Sequence, residues 1–263
     1  MQDKIFNKFD QYGGVDYCHS RTESAGIFDK HIHTTYEILF VKEIAEGKMN
    51  VEGSLYPLFP HAMLIIPPGN YHFVMPKEGR PYERFVFNFS EKLLADLKLG
   101  RFEKPLLIDS MEYPIVAATF SRLSQYGDML DADSFAFVAK NALCELLFYV
   151  AHAPLKAEEA LLYANDIVIK SITYINENIS TIRSADDIAK ALYVSPSTLC
   201  HSFKTEMKIS LMKYVRNKKI MLAAALIEKG VKPSQAAAKA GFDDYSTFFR
   251  AYKSTFSRSP ASK

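Results

Sequence analysis

The chain has 263 residues, of which 48% are hydrophobic and 24% charged, an ordinary composition for a soluble protein with two domains. Cys18, Cys144 and Cys200 lie far apart without metal-site spacing, so we expect reduced thiols and a cytoplasmic protein. The start of the chain has no apolar signal segment, and no run approaches about 18 uninterrupted apolar residues, so we expect neither secretion nor a membrane span.

The net charge of +2 hides an asymmetry between the two parts of the chain. Residues 1–160 carry 16 Lys+Arg against 22 Asp+Glu, a net charge of −6. Residues 161–263 carry 16 against 8, a net charge of +8. A basic C-terminal part beside an acidic N-terminal part indicates that the C-terminal part binds a polyanion such as nucleic acid.

Between about residues 15 and 89, short apolar runs alternate with glycine and proline turn signals. Regularly spaced short runs predict antiparallel strands that form a small barrel or sandwich. The predicted strands cover residues 36–41, 48–51, 62–66, 71–74 and 85–89.

Two histidines and a glutamate share one strand parity near the start of this region. His31, His33 and Glu37 are an even number of residues apart, so an extended chain would point them to one face. Imidazole and carboxylate groups suit Zn, Fe, Mn or Ni. The alternative is that these groups hydrogen-bond a polar ligand or one another.

From about residue 113 to 153 the apolar spacing changes to the helical period. One predicted helix has its apolar stripe at Ile115, Ala118, Phe120 and Leu123, and a longer helix has a broad stripe from Phe135 to Val150. A broad stripe can cover the sheet domain or pair with the same helix of a second subunit. A polar linker over residues 154–159 and a helix over 162–176 are predicted to follow.

Residues 184–208 have the pattern of a helix-turn-helix unit. Ser184 precedes a short amphipathic helix, and Ser195 with Pro196 supplies an N-cap and first helical residue for the next. On that second helix, a polar face opposite the apolar side contains Ser197, Thr198, His201 and Lys204. Hydroxyl, imidazole and ammonium groups suit base edges and phosphates in a DNA major groove, whereas the alternative is an ordinary solvated face.

The same pattern recurs at residues 232–257. Residues 197–204, Ser-Thr-Leu-Cys-His-Ser-Phe-Lys, match residues 246–253, Ser-Thr-Phe-Phe-Arg-Ala-Tyr-Lys, position by position in chemical type. Residues 212–227 between the units are rich in strong helix formers, which predicts a stiff spacer. Two such helices on a stiff spacer could enter successive major grooves, about 34 Å apart.

At these residues the chain resembles the AraC/XylS family of bacterial transcription regulators, over about the last hundred residues. The residues that carry the resemblance are Asp187-Ile188-Ala189, Ser195, Leu199, Phe203-Lys204, Lys219-Ile220, Ala223, Leu226, Gly241-Phe242, Phe248, Arg250, Tyr252-Lys253 and Ser259-Pro260. The resemblance implies a sequence-specific regulator that binds double-stranded DNA, contacts RNA polymerase and activates a nearby operon. It also favours a homodimer formed through the helices of residues 111–155.

The sequence departs from the family pattern at four positions. Lys208 and Ser257 stand where the family usually has glycine after each DNA-reading helix, a left-handed position. Pro233 and Ala236 replace larger aliphatic residues in the first helix of the second unit. We therefore expect the second unit to be less well packed than the first.

The N-terminal part resembles the cupin-type effector domain common in the same family. The resemblance is carried by His31-Ile32-His33, Glu37, Tyr56-Pro57-Leu58, Leu64-Ile65-Ile66-Pro67-Pro68-Gly69 and His72, with His61-Ala62 where a Gly-Asp turn is commoner. It implies that His31, His33, Glu37 and His72 form the three-histidine, one-carboxylate set of metal-binding cupins. It implies no other cofactor.

These observations predict an α+β protein with an antiparallel, cupin-like barrel in residues 1–110, a helical dimerisation segment in 111–155 and an all-α DNA-binding domain in 156–263. The expected function is regulation of DNA binding by a small-molecule effector, with a carbohydrate as one guess. The expected effector contacts are His31, His33, Tyr36, Glu37, Tyr71 and His72. The expected DNA contacts are Ser197, Thr198, His201, Lys204, Ser246, Thr247, Arg250 and Lys253, with Arg250 the strongest candidate for guanine.

Two other functions compete with this one. A ligand-independent regulator would use its barrel only for dimerisation or protein contacts, which a barrel filled with side chains would favour. A cupin metalloenzyme would need an open metal position together with acid, base or nucleophilic groups. The sequence offers no convincing set of such groups, so we do not expect an enzyme.

Overall fold

The computed structural model describes residues 3–156 and 162–261, which fold as two compact units. The N-terminal unit contains most residues up to 161, and the C-terminal unit contains most residues from 162 onwards. The boundary therefore lies at 161/162 rather than at the predicted 155/156. Residues 111–155, predicted as a separate segment, belong to the N-terminal unit. The predicted linker, 154–159, lies partly outside the described residues.

The N-terminal unit is built on antiparallel strands. They are β1 (Asp3–Tyr12), β2 (Val15–Thr22), β3 (Tyr36–Ile44), β4 (Gly47–Val51), β5 (Ser54–Leu58), β6 (Ala62–Ile66), β7 (His72–Pro76), β8 (Tyr82–Phe89) and β9 (Leu106–Asp109). One sheet has the order β1-β2-β8-β3-β6-β9, and a second contains β5, β4 and β7 in that order. The antiparallel N-terminal fold is as predicted, and its strands pair as two sheets.

Strand β3 shows how the two faces of the larger sheet are used. Ile38 and Phe40 belong to a core shared with the helices, whereas Leu39 and Val41 belong to a second core with residues of β4 and β7. Successive strand residues point to opposite faces, so both faces are apolar and both are covered. Glu37 follows the parity of Leu39 and therefore points to the inner side, between the sheets.

Helices α1 (Glu91–Asp96), α2 (Pro114–Met129) and α3 (Ala132–His152) and a short 3-10 helix (Ser110–Glu112) complete the N-terminal unit. The α3 stripe, including Leu143 and Leu147, is fully buried in the core that faces the large sheet. The helix is long and apolar enough to cross a membrane by length and composition alone. This is weak evidence of a membrane span, because the core helix of a soluble protein passes the same test and the apolar stripe of α3 packs in the core.

The C-terminal unit begins with a two-residue strand, β10 (Leu162–Tyr163), where a helix was predicted. Its helices are α4 (Asp166–Asn178), α5 (Ala185–Ala191), α6 (Pro196–Met207), α7 (Leu211–Glu228), α8 (Pro233–Lys239) and α9 (Tyr245–Phe256). The pairs α5–α6 and α8–α9 lie at the two predicted helix-turn-helix units, and α7 is the predicted spacer. The helical C-terminal region with two helix-turn-helix units is confirmed.

Candidate functional site

Helix α6 presents the polar face expected of a DNA-reading helix. Its start is fixed by Ser195, whose hydroxyl accepts from the Thr198 backbone N–H at 3.1 Å. Leu199, Phe203 and Met207 are fully buried on one side. The predicted contacts Ser197, Thr198, His201 and Lys204 are all exposed. The Thr198 hydroxyl also bonds the Ser195 hydroxyl at 2.7 Å, so it helps to close the cap.

Helix α9 repeats this arrangement. The Asp244 carboxylate accepts from the Thr247 backbone N–H at 2.7 Å, in the role that Ser195 has on α6. Phe248 and Tyr252 are buried on the inner side. The predicted contacts Ser246, Arg250 and Lys253 are exposed, and Thr247 is half-buried. The chain thus offers two similar polar helix faces to a ligand.

Lys219, in the middle of α7, contacts two turns, one before α5 and one between α8 and α9. Its buried ammonium group donates to the backbone carbonyls of Ile182, at 2.7 Å, and Gly241, at 2.8 Å. Burial, with the nearby charge of Arg183, lowers the pKa of Lys219. Arg183 in turn pairs with Asp243 at 2.9 Å. These contacts join the loop before α5 to the turn between α8 and α9, so the spacer holds both units.

A cavity of about 310 Å³ lies within the N-terminal unit. It is lined by Asp3, Ile5, Cys18, Ser20, Phe28, His31, Glu37, Leu39, Met49, Val74, Tyr82, Arg84, Val86 and Asn88. Apolar walls with a few polar groups are typical of small-molecule sites, and the volume is at the lower end of their usual range. The space between the sheets is therefore not completely filled by side chains.

Arg84 is a polar group in this cavity that the sequence analysis missed. It is 8% exposed, and its guanidinium donates to Asp3 at 2.7 Å and to the Thr22 hydroxyl at 2.8 Å. The same group lies over the rings of Phe28 and Tyr82, at 4.5 and 5.0 Å from their centroids. The signal in the sequence was a lone charge pair, Glu83-Arg84, inside the aromatic strand β8.

Two further cavity residues carry buried polar atoms without a hydrogen-bond partner among the described residues. These atoms are the Tyr82 hydroxyl and the Asn88 side-chain carbonyl oxygen. Burial raises the pKa of Tyr82, so its hydroxyl stays protonated and can donate. A buried polar group that lacks a partner is costly, so these atoms point to a ligand or water as the missing partner.

The four histidine and carboxylate residues predicted from strand parity come together. The candidate ligand atoms of His31, His33, Glu37 and His72 all lie within 4.8 Å of one another. A Glu37 carboxylate oxygen is 3.5 Å from His72 Nε2 and 3.7 Å from His31 Nε2. His31 and His72 also pair across an isolated β-bridge, which brings the two distant segments together. Burial lowers the pKa of His31, but the Glu37 carboxylate outweighs it and the net shift is upward.

The remaining predicted effector contacts occupy different positions. Tyr36 points to the helix-covered side of β3, where its ring stacks on Phe89 at 5.3 Å, so we correct its assignment to that of a core residue. Tyr71 is buried and lies edge-on to Phe73 at 6.1 Å. Neither tyrosine lines the cavity. The two tyrosines were predicted as walls of a pocket from their position in the cupin-like region, which does not specify the face of a strand.

Comparisons with known proteins agree with the C-terminal architecture. Residues 188–262 match a family described as a helix-turn-helix domain, of the AraC type. The uncharacterized HTH-type transcriptional regulator YfiF of Bacillus subtilis (strain 168) is 21% identical over 242 residues, covering 88% of this chain and 76% of that protein.

Two solved structures are similar at low identity. Unsaturated fatty acid-bound wild-type ToxT from Vibrio cholerae strain SCE256 is 14% identical, covers 96% of this chain and 95% of its own, and has a TM-score of 0.43. The C-terminal domain of AraT, a response regulator from Geobacillus stearothermophilus, is 25% identical, covers 37% of this chain and 82% of its own, and has a TM-score of 0.35.

Proposed function

We propose that the chain is a DNA-binding transcription regulator, as its helix-turn-helix match over residues 188–262 supports, and that its N-terminal cavity binds a small effector that controls DNA binding. The observation that carries the proposal is the cavity of about 310 Å³ with buried, unpartnered polar atoms on Tyr82 and Asn88. A domain that served only as a scaffold would gain stability by filling this space with apolar side chains. The cavity therefore favours an effector-dependent regulator over a ligand-independent one.

The lining defines the class of effector. Arg84 and the Tyr82 hydroxyl can donate hydrogen bonds to a ligand, while Glu37 and the Asn88 carbonyl oxygen can accept them. Leu39 and other apolar residues cover the remaining walls. A small, hydroxyl-rich molecule with one apolar face, such as a carbohydrate, matches this distribution of donors, acceptors and apolar surface. Its binding would alter DNA affinity only if the two states of the protein bind it with different affinity.

The experiment is DNA selection from a random library by the full-length protein, with and without pooled sugars and metabolites. A long motif with two half-sites about one helical turn apart is expected, and its recovery should change with an effector pool. The Arg84→Gln and Asn88→Leu variants should lose the effector response but keep the motif. A motif recovered equally under every condition by all these proteins would support the ligand-independent regulator instead.

A bound divalent transition metal is a second candidate ligand of the protein, at His31, His33, Glu37 and His72. With metal–ligand bonds of about 2.1 Å, ligand atoms of one site lie roughly 3–4 Å apart, and the Glu37 oxygen lies 3.5 and 3.7 Å from its two histidine nitrogens, with all four ligand atoms within 4.8 Å of one another. We favour a structural or effector-binding metal over catalysis, so the proposed protein is a regulator and not an enzyme. Its proposed location is the cytoplasm.

Elemental analysis of protein purified without chelators tests the metal. Zn, Fe, Mn or Ni should be present near one equivalent in the wild type and in His152→Ala, whose histidine is exposed on α3. The metal should be lost from Glu37→Gln and His72→Ala. Wild-type protein that holds none of these metals, even after titration with each of them, would leave the four residues as a hydrogen-bonded network.

We also propose that the protein acts as a homodimer that activates transcription through contact with RNA polymerase. Large apolar side chains are exposed on α2 and α3, among them Met129 at 75% and Phe137 at 58%. An isologous pairing of these helices would remove that surface from water. Sedimentation should show a dimer that Phe137→Asp dissociates, and a monomeric wild type at micromolar concentration would contradict the pairing.

A further inference from the structure

Helices α7 and α9 line a groove in the C-terminal unit that has not been given a role above. On α7 its residues are Lys213, Arg216, Asn217 and Ile220, and on α9 they are Thr247, Arg250, Ala251, Ser254 and Thr255. The spacing of three, four and seven residues places each set on one helix stripe. The groove has a volume of about 540 Å³. It will be called the α7–α9 groove.

The chemistry of the α7–α9 groove is that of an anion site. Lys213, Arg216 and Arg250 contribute three positive charges, and no carboxylate lines it. Three hydroxyl groups and the Asn217 amide add neutral donors. The three cations form no ion pair within the described residues, whereas Lys170 and Arg183 of the same unit pair with aspartates. Exposed cations left together without acidic partners are suited to a polyanion.

The groove also adjoins the predicted DNA-reading face. Thr247 and Arg250 belong both to the groove and to the set of predicted DNA contacts on α9. A duplex that meets α9 would therefore bring its backbone close to α7. A phosphodiester offers acceptor oxygens that guanidinium groups bind in pairs and that ammonium groups bind as point charges.

We propose that Lys213 and Arg216 of α7 bind DNA backbone phosphates next to the site contacted by α9. This inference rests on DNA binding by the helix-turn-helix domain and extends the contact surface from the two reading helices to the spacer. The spacer then has two roles, because it holds the two units and also fixes the register of α9 on the duplex. Phosphate contacts position a protein without reading sequence.

The test is the salt dependence of DNA affinity, measured with the full-length protein on a selected duplex and on a scrambled duplex. Each phosphate contact contributes about 0.9 to the slope of log affinity against log salt. Lys213→Gln/Arg216→Gln should therefore lower the magnitude of the slope by about 1.8 for two contacts. Affinity should fall equally on both duplexes, so the ratio between them should not change.

The matched control is Lys229→Gln/Lys232→Gln, which removes the same charge from exposed positions at the turn between α7 and α8. This pair lies outside the groove and should retain the wild-type slope. A methylphosphonate is then placed at each backbone position in turn. At one or two of these positions it should weaken binding of the wild type but not of Lys213→Gln/Arg216→Gln. Circular dichroism should show that both double variants are folded.

Equal slopes for the two double variants would overturn the phosphate contacts. A changed affinity ratio with an unchanged slope would also overturn them, because it would assign base reading to α7. A wild-type protein that binds no duplex at any salt concentration would instead overturn the DNA-binding premise, so the two failures are distinguishable.

Discussion

The two helix-turn-helix units have the same arrangement of helices but bury different side chains. In the first, Ile188 of α5 and Leu199 and Phe203 of α6 are fully buried. In the second, α8 buries only Ala236 and Ala237. The first unit also begins with a capping box between Ser184 and Asp187, whereas α8 begins at Pro233 without a side-chain cap. The first helix of the second unit therefore buries smaller side chains than α5, while α9 buries Phe248 and Tyr252; weaker packing of this unit stays a prediction.

The turns between the paired helices show the same contrast. Each first helix is followed by a residue with left-handed backbone, Tyr193 at φ 55° and Gly241 at φ 82°. Tyr193 is 96% exposed, so its side chain lies almost entirely in solvent. A Cβ at residue 241 would overlap the backbone carbonyl of Ser180. Close backbone contact with Ser180 thus fixes the turn of the second unit, and Lys219 holds both this turn and the loop before α5.

Gly241→Ala should have the largest effect on this comparison. The left-handed backbone costs about 1–2 kcal/mol for an L residue, and crowding against Ser180 adds about 1–3 kcal/mol. Gly230→Ala is the matched control, because Gly230 also has a positive φ of 86° but no atom within 4 Å of the added Cβ. Denaturant unfolding and hydrogen exchange of the α9 amides measure both losses. Equal losses would show that Ser180 does not fix the second unit.

His201→Ala should reveal which unit reads bases more strongly. A lost base contact reduces discrimination between selected and scrambled DNA by about 1–3 kcal/mol. The first unit is the one that we predict to be better packed, so we expect a larger loss of discrimination than for Ser246→Ala on α9. Mobility shifts on both duplexes measure it. If His201→Ala weakens both duplexes to the same degree, the side chain does not read bases.

The two reading helices should gain equally from glycine at their C-caps. Lys208 and Ser257 both adopt φ 55°, in agreement with the glycine that the family has there. Lys208→Gly and Ser257→Gly should each raise the free energy of unfolding by roughly 1 kcal/mol, because glycine relieves the left-handed strain. Lys229→Gly, at a C-cap with φ −79°, should not stabilise. Thermal unfolding of the three variants gives the comparison, and a loss at 208 or 257 would contradict it.

The smallest effect concerns pH. Backbone N–H groups of Arg183 and Ser184 hold the pKa of Asp187 below its usual value, and that of Thr247 does the same for Asp244. A carboxyl whose pKa is lower in the folded state stabilises the folded protein at pH values above the unfolded pKa of about 3.9. This stabilisation is lost as the pH falls through the folded pKa. Asp244→Asn keeps a capping oxygen but does not titrate.

The stability of the wild type and of Asp244→Asn, followed as the pH is lowered, measures this difference. Asp244→Asn should lose less stability than the wild type as the pH falls below about 4. Parallel acid curves for the wild type, Asp187→Asn and Asp244→Asn would show that neither cap contributes to acid sensitivity.

The helix-turn-helix units could be predicted because their signals are local. Ser195, Pro196 and the polar and apolar faces of α6 lie within one short segment, and the segment repeats in α9. Sequence reasoning did not predict β1, which has mostly exposed residues and is defined by its pairing with β2. It also missed the groove, because Lys213 and Arg216 are ordinary solvated residues until α9 lies beside them.

The N-terminal unit was only partly predictable from the sequence. The ligand atoms of His31, His33, Glu37 and His72 lie close together, through the β-bridge between His31 and His72. The chain between His31 and β3 is not a strand, so the shared strand face predicted from parity does not explain this proximity. The cavity was not predictable, since its key cation, Arg84, is held by Asp3, 81 residues away. No spacing rule connects residues that meet only when two strands pair.

The sequence alone therefore determined the class of the protein, its two-part organisation and the faces of its DNA-reading helices, because helical periodicity and capping are written in neighbouring residues. Only the tertiary structure decided which face of β3 carries Tyr36, which buried groups line the cavity and which cations of α7 meet α9. These depend on contacts between distant segments, whose geometry is fixed by packing and strand pairing.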